Sequence, residues 1–176
     1  MPEKLIIDLK KCKSCTLCDV QCSYKHHPAN NGINALLEKI RFALICRKCK
    51  TAPCITACPR KALEKVDTGR GGEQVLKRAD MLCTGCGTCA IACPFGTVYT
   101  ELAAFVDDVC DLCRGRLEKN EKPLCVRTCK SGALDWREID MEKNKDMTEV
   151  FDGVVVKVTG GDLWEPFLPK SQKASG

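Results

Sequence analysis

Cys83, Cys86, Cys89 and Cys93, followed by Pro94, form the run C-T-G-C-G-T-C-A-I-A-C-P near the middle of the 176-residue chain. Thiolates at the spacing C-x2-C-x2-C-x3-C-P hold four-iron four-sulfur clusters. Three cysteines two residues apart on a tight loop reach three irons of one cubane, so the fourth ligand must come from elsewhere. The last cysteine of such a run is carried off by the start of a helix and ligates a neighbouring cluster. One run of this kind therefore implies a second.

The rest of the chain supplies it. The 16 cysteines fall into four groups of four with no remainder: Cys12, Cys15, Cys18 and Cys22; Cys46, Cys49, Cys54 and Cys58; the central run; and Cys110, Cys113, Cys125 and Cys129. Every group opens with C-x2-C and closes with C-x3-C, and only the middle gap varies.

Other uses of cysteine fit less well. A disulfide framework belongs to secreted chains, whereas Met1 to Asp8 shows no long apolar region, no twin arginine and no small-residue cleavage site, so a cytoplasmic protein is expected. Zinc takes C-x2-C units two by two. It gives no reason for the third cysteine two residues on in the first and central groups, or for the proline after Cys58 and Cys93. A zinc-stabilised interaction module is nevertheless the alternative from a different class. The fourth group, with its 11-residue gap, is where an altered or empty site would fall. No cysteine pair is followed by His, which excludes c-type haem attachment. His26 and His27 are adjacent, which does not suit a Rieske centre. No C-x3-C-x2-C run supports a radical enzyme that uses adenosylmethionine. No catalytic dyad or carboxylate pair stands out, so the chain is expected to be non-catalytic.

Composition bounds the partners. A short chain with 5% aromatic residues has little room for a large core, so something else must staple the fold. A formal charge of +5 would invite nucleic acid. Each oxidised cube with its four thiolates carries about −2, however, and four of them bring the total to about −3. The basic excess is then compensation, and no nucleic-acid partner is expected. No stretch approaches the roughly 20 apolar residues that cross a bilayer, so no direct membrane insertion is expected either.

Several elements position the cysteines. Leu5–Leu9 reads as a strand directly before the first group, and that group as a loop followed by a short helical turn. His26–Gly32 is a breaker segment. Ile33–Ile45 is apolar and reads as a helix around Ala35–Ile40 followed by a strand around Arg41–Ile45. Ala62–Val66 and Gln74–Lys77 read as strands joined by a turn over Asp67–Glu73, whose glycines lack the register of a dinucleotide loop. Thr97–Tyr99 reads as a strand, Arg114–Pro123 as a polar loop, Glu138–Glu149 as a solvated helix or loop, and Val154–Val158 as a strand. Gly132–Trp136 after Cys129 matches Lys61–Lys65 after Cys58, which indicates internal duplication.

On three motifs the chain resembles a known family. They are C-R-x-C-x3-P-C-x3-C-P at Cys46 to Pro59, C-x-G-C-x2-C-x2-A-C-P-F-G at Cys83 to Gly96, and C-D-L-C at Cys110 to Cys113 followed by P-x-C-V-x2-C and G-A-L. The family is the four-cluster, ferredoxin-like electron-transfer subunits of molybdenum and tungsten oxidoreductases, and the resemblance covers roughly Leu5 to Trp136. Relatives serve dimethyl sulfoxide reductase, formate dehydrogenase, nitrate reductase, and some hydrogenases and carbon monoxide dehydrogenases.

The resemblance implies an α+β fold of two nested bacterial-ferredoxin-like modules, loop-rich and stapled by clusters. The outer module comprises 1–41 and 101–137, the inner one 42–100, and a C-terminal extension 138–176. It implies four 4Fe-4S clusters: one on Cys12, Cys15, Cys18 and Cys129; one on Cys22, Cys110, Cys113 and Cys125; one on Cys46, Cys49, Cys54 and Cys93; and one on Cys58, Cys83, Cys86 and Cys89. Cys18 and Cys22, like Cys89 and Cys93, would lie about one helical turn apart, roughly 5 to 6 Å along one helix. The implied function is relay of single electrons between a catalytic subunit, a tungsten or molybdenum enzyme being favoured, and a further donor or acceptor. A hydrogenase or carbon monoxide dehydrogenase is the alternative partner.

Ser23 and Lys130 depart from the pattern, standing where the inner groups have proline. Gly85 and Gly87 are expected to let backbone N–H groups approach a cluster. Lys10, Lys11, Lys13, Arg47, Lys48, Lys50, Arg60, Lys61, Arg127 and Lys130 flank the groups, either favouring the reduced state or serving solubility. The apolar arm Trp164–Leu168 either docks the catalytic subunit or packs on its own domain.

Overall fold

An uninterrupted Leu5-Ile6-Ile7 run is the signature of a strand covered on both faces. In the computed structural model these residues form the middle of β1 (Glu3–Asp8) and all three are buried. The structure describes residues 3–15, 17–24, 27, 29–67, 74–79, 81–103, 108–144 and 146–158. The fold is α+β, and it divides into two compact units, one within Met1–Asn34 and Cys110–Leu168, the other within Ala35–Val109.

In the first unit β1 runs straight into α1 (Leu9–Lys13), which Asp8 caps by accepting a hydrogen bond from the Lys11 N–H at 3.0 Å. The unit also holds α5 (Leu124–Thr128), β4 (Leu134–Glu138), β5 (Met147–Phe151) and β6 (Val154–Lys157). Their sheet has the order β4-β1-β6-β5, with β1 antiparallel to β4 and parallel to β6, and β5 and β6 forming a hairpin. Side chains alternate across the sheet. Ile6 and its register partner Val155 pack with Ile139 and Met147 in one core, whereas Leu5 and its partner Trp136 line a cysteine pocket. The 138–176 segment therefore contributes two strands to this sheet. Glu138–Glu149, expected as a solvated helix or loop, instead contains the end of β4, a turn and the start of β5, because Ile139 and Met147 are needed in the core.

The second unit takes most of α2 (Gly32–Ile45), together with α3 (Pro53–Thr56), the paired strands β2 (Leu63–Asp67) and β3 (Gln74–Arg78), α4 (Thr88–Ala92) and a 3-10 turn at Thr100–Ala103. The strand expected around Arg41–Ile45 is not there, since the helix continues through it. Buried Ile33, Leu36, Ile40, Ala43 and Leu44 recur at helical spacing, which makes one continuous apolar stripe. The strand expected at Thr97–Tyr99 is also absent. That stretch turns toward the Cys93 sulfur and leads into the 3-10 turn. β2 and β3 pair in antiparallel register as expected, with their joining residues 68–73 outside the described part. Phe42, Cys54, Leu63, Leu76, Val98 and Leu102 form the core, with Cys46, Cys89 and Cys93 packed against it. Cysteines thus form part of the wall of the core. His26 and the Trp164–Leu168 arm lie outside the described residues.

Candidate metal centre

Three of the four groups use one local device. A helix of one turn carries the third cysteine, and the fourth follows as the chain leaves it: Cys54 on α3 then Cys58, Cys89 on α4 then Cys93, Cys125 on α5 then Cys129. Beyond each fourth cysteine the chain folds back and aims N–H groups at its sulfur. The Ala62 N–H donates to Cys58 Sγ at 3.3 Å. Burial pushes the Cys93 thiol upward, but the Thr97 hydroxyl and the N–H groups of Val98, Phe95 and Thr97 outweigh it and bring Cys93 to about 7. At Cys129 burial again opposes, and the Ser131 hydroxyl with the N–H groups of Leu134, Ala133 and Ser131 holds the thiol below its ordinary value. The repeat of Lys61–Lys65 in Gly132–Trp136 is this amide fold-back.

The first group differs. Its helical turn, α1, lies at the start and carries Cys12, and residues 17–24 have no helix, so Cys18 and Cys22 are not spaced along one. Tertiary bonds hold that stretch instead. The Gln21 N–H donates to the Thr128 hydroxyl at 3.0 Å and Lys130 pairs with Asp19. Lys130, which stands where other groups have proline, is thereby part of the clasp.

Distant groups are brought together. Cys58, Cys83, Cys86 and Cys89 line one pocket of the second unit, enclosing about 360 Å³ that is partly open to solvent. Cys22, Cys110, Cys113 and Cys125 line another, of about 400 Å³, with Leu5, Val20 and Trp136 behind them. Burial, reinforced by neighbouring Cys110, Cys113 and Cys22, pushes the Cys125 thiol up to about 12. Cys46, Cys49, Cys54 and Cys93 form a third gathering. Burial raises both the Cys46 and the Cys54 thiols; Cys49 and Cys93 add to the first rise, Cys46 and Cys93 to the second. Cys12, Cys15, Cys18 and Cys129 are approached through their neighbours, by the 18–21 clasp on 128–130 and by the Asp8 N–H donating to the Ala133 carbonyl at 2.8 Å.

The sixteen cysteines form no disulfide. Among the described residues no three His, Cys, Asp or Glu side chains group tightly enough for a single metal ion. Instead, thiols surround a space; burial holds Cys46, Cys54, Cys89 and Cys125 toward the neutral form, and a multi-iron core would supply the positive centre that favours their thiolates along several edges at once. Further donors reach the sulfurs. Asn30 Nδ2 donates to Cys22 at 3.3 Å, the Lys48 N–H donates to Cys46 at 3.3 Å, and the Thr88 hydroxyl lies 3.2 Å from Cys86.

Gly87 caps α4 at φ +72, and a Cβ there would meet no protein atom within 4 Å, so a left-handed backbone rather than crowding by the protein requires glycine. Lys48, Ala52, Lys61, Leu112 and Cys113 also adopt positive φ inside or beside the cysteine groups. Such strain collects at functional sites.

A match to known proteins follows this geometry. Residues 37–139 match the model of the 4Fe-4S dicluster domain. The chain belongs to that family. It is a ferredoxin-like iron–sulfur protein. An uncharacterized ferredoxin of Methanocaldococcus jannaschii is 32% identical over 140 residues, 78% of this chain and 74% of that one. The thiosulfate reductase electron transfer subunit PhsB of Salmonella typhi is 27% identical over 150 residues, 77% of this chain and 76% of that one. The electron transport protein HydN of Escherichia coli is 27% identical over 168 residues, 80% of this chain and 89% of that one. Other curated relatives are longer, and the chain spans 21% or 62% of their length. No helix among the described residues is long and apolar enough to cross a membrane.

Two side chains that the sequence did not single out complete the surroundings. Arg78 lines the pocket of Cys58, Cys83, Cys86 and Cys89, and Arg116 holds Asp111 beside Cys113. Arg116 falls in the segment that the sequence reads as a polar loop, and nothing in the sequence marks Arg78.

Proposed function

We propose that this chain is a non-catalytic, cytoplasmic electron-transfer subunit. In this reading it carries four 4Fe-4S clusters and relays single electrons between a catalytic oxidoreductase subunit and another redox partner. One observation carries the reading: cysteines from separate groups, Cys58 with Cys83, Cys86 and Cys89, converge on one pocket. The proposed ligand sets are that quartet; Cys46, Cys49, Cys54 and Cys93; Cys22, Cys110, Cys113 and Cys125; and Cys12, Cys15, Cys18 and Cys129. Each set draws on two cysteine groups and falls within one unit. That supports a nested arrangement, with a module of the second and third groups inserted into a module of the first and fourth.

A bound 4Fe-4S cluster supplies reversible one-electron chemistry. The chain's own residues position and insulate it. Leu5, Val20 and Trp136 give one pocket an apolar wall, while hydroxyl and amide donors at Cys22, Cys46, Cys58, Cys86, Cys93 and Cys129 offset negative charge on sulfur. The likeness to electron-transfer proteins such as PhsB and HydN supports a catalytic partner. By resemblance we favour a tungsten or molybdenum enzyme, of the aldehyde oxidoreductase or aromatic acyl-CoA reductase type.

Anaerobic purification with iron and sulfide analysis tests this. Four clusters give about 16 irons per chain, and about 12 would mean that one set is empty or altered. A colourless, zinc-loaded protein would end the reading, and the identity of the copurifying large subunit decides the partner.

A further inference from the structure

Arg78 is 1% exposed, at a position on β3 opposite Leu63 where the alternation of a half-buried strand would accept an apolar residue. Burying a guanidinium is costly unless its charge is paired and its donors are used. Nη2 donates to the Glu38 carboxylate at 2.6 Å, Nη1 donates to the Leu102 carbonyl at 2.6 Å, and the guanidinium sits 4.8 Å from the Phe42 ring centre. These contacts explain two of the three nitrogens. The third, Nε, is buried with no hydrogen-bond partner in the protein. Arg78 lines the pocket with Cys58, Cys83, Cys86 and Cys89, whereas its counter-ion Glu38, 33% exposed, is not part of that lining. The positive end of the ion pair is therefore the end at the cysteines.

We propose that Arg78 sets the reduction potential of the cluster held by Cys58, Cys83, Cys86 and Cys89, its charge and Nε–H favouring the more negative, reduced state. The proposal rests on the ligand set given under Proposed function. One electron from a redox partner takes the cube and its four thiolates from about −2 to about −3. A guanidinium is permanently protonated, so the added charge is met without proton uptake. A purely structural Arg78, tying α2 to the β2–β3 pair, would account for Glu38, Leu102 and Phe42 but leave Nε and the choice of a charged residue unexplained. Arg116 in the first unit shares only the orphaned nitrogen: Nη2 donates to both Asp111 oxygens at 2.6 and 2.8 Å, Nη1 donates to the Ser23 carbonyl at 2.5 Å, and Nε is buried without a partner in the protein, but there Asp111 rather than the arginine lines the cysteine pocket.

The test is an EPR-monitored redox titration of the full, anaerobically purified chain and its Arg78→Gln, Arg78→Lys and Glu38→Gln variants, with Cys86→Ala marking the cluster concerned. Arg78→Gln should lower that cluster's equilibrium constant for reduction about ten-fold, about 59 mV for one electron. Arg78→Lys, which keeps the charge, should recover most of the shift. Glu38→Gln removes the counter-charge from a part-exposed position and should shift the same midpoint upward, so it decides the matter even where Arg78→Gln fails to fold. If Cys86→Ala abolishes one cluster but Glu38→Gln and any folded Arg78→Gln leave its midpoint unmoved, the role of Arg78 is overturned while the ligand set stands. If the shifting cluster survives Cys86→Ala, the ligand set is wrong and the proposal falls with it.

Discussion

Cys86 and Cys93 stand on opposite sides of α4 in one sequence run, yet their surroundings differ. Cys86 is exposed, lines the pocket with Cys58 and Cys83, and has the Thr88 hydroxyl at 3.2 Å. Cys93 packs against the core beside Cys46 and Cys54 and turns toward Thr97. In the proposed ligand sets this single run serves two centres. Replacing either with Ala should remove about 4 of about 16 irons, but different ones. Mössbauer and EPR spectra of Cys86→Ala and Cys93→Ala are expected to lose different components, and identical losses would refute the proposed sets.

At the scale of elements, β1 is the organiser of the first unit, and its parallel neighbour β6 comes from the far end of the described chain. Leu5, Ile6 and Ile7 are covered only while β6 lies between β1 and β5, so truncation after Asp152 should leave insoluble or unfolded protein. Truncation after Val158 retains every described strand and should leave the melting temperature unchanged. Should the 163–169 arm dock the catalytic subunit, as its Trp and Phe suggest, that second truncation loses the copurifying partner; an unaltered complex would dismiss the docking role.

For the whole molecule, the decisive point is that cysteines share the core with its apolar residues. Ile6, Ile139, Met147 and Val155 form one core cluster of the first unit, whose sheet also buries Leu5, Ile7, Val150, Val154 and Val156, and the second unit's core includes cysteines. Small domains built around cysteine sites draw stability from bound metal. Stripping iron with a chelator and a mild oxidant should therefore collapse the far-UV circular dichroism, and refolding should require iron and sulfide together. A chain that keeps its full melting transition without iron would show that the clusters are passengers rather than staples.

The sixteen cysteines determine the chemistry by themselves, because their 2-and-3 spacing encodes the loop and short helix that present thiolates. Local patterns were equally legible where short β-rich runs were bounded by polar residues or turns, as in β1, the β2–β3 pair and β6. The sequence misled where tertiary bonds outweighed local preference. Cys18 to Cys22 is held without a helix by Thr128 and Lys130, Thr97 bends toward a sulfur, and Arg41 to Ile45 stays helical because Phe42, Ala43 and Leu44 are all needed inside. Only the tertiary structure shows Cys58 lining a pocket with Cys83, Cys86 and Cys89, and Cys22 lining one with Cys110, Cys113 and Cys125, since a pocket is built from residues dozens of positions apart. It alone showed that Arg78 is buried behind one of them, because a charge in the segment Q-V-L-K-R carries no sign of the face it takes until the strand has its partner.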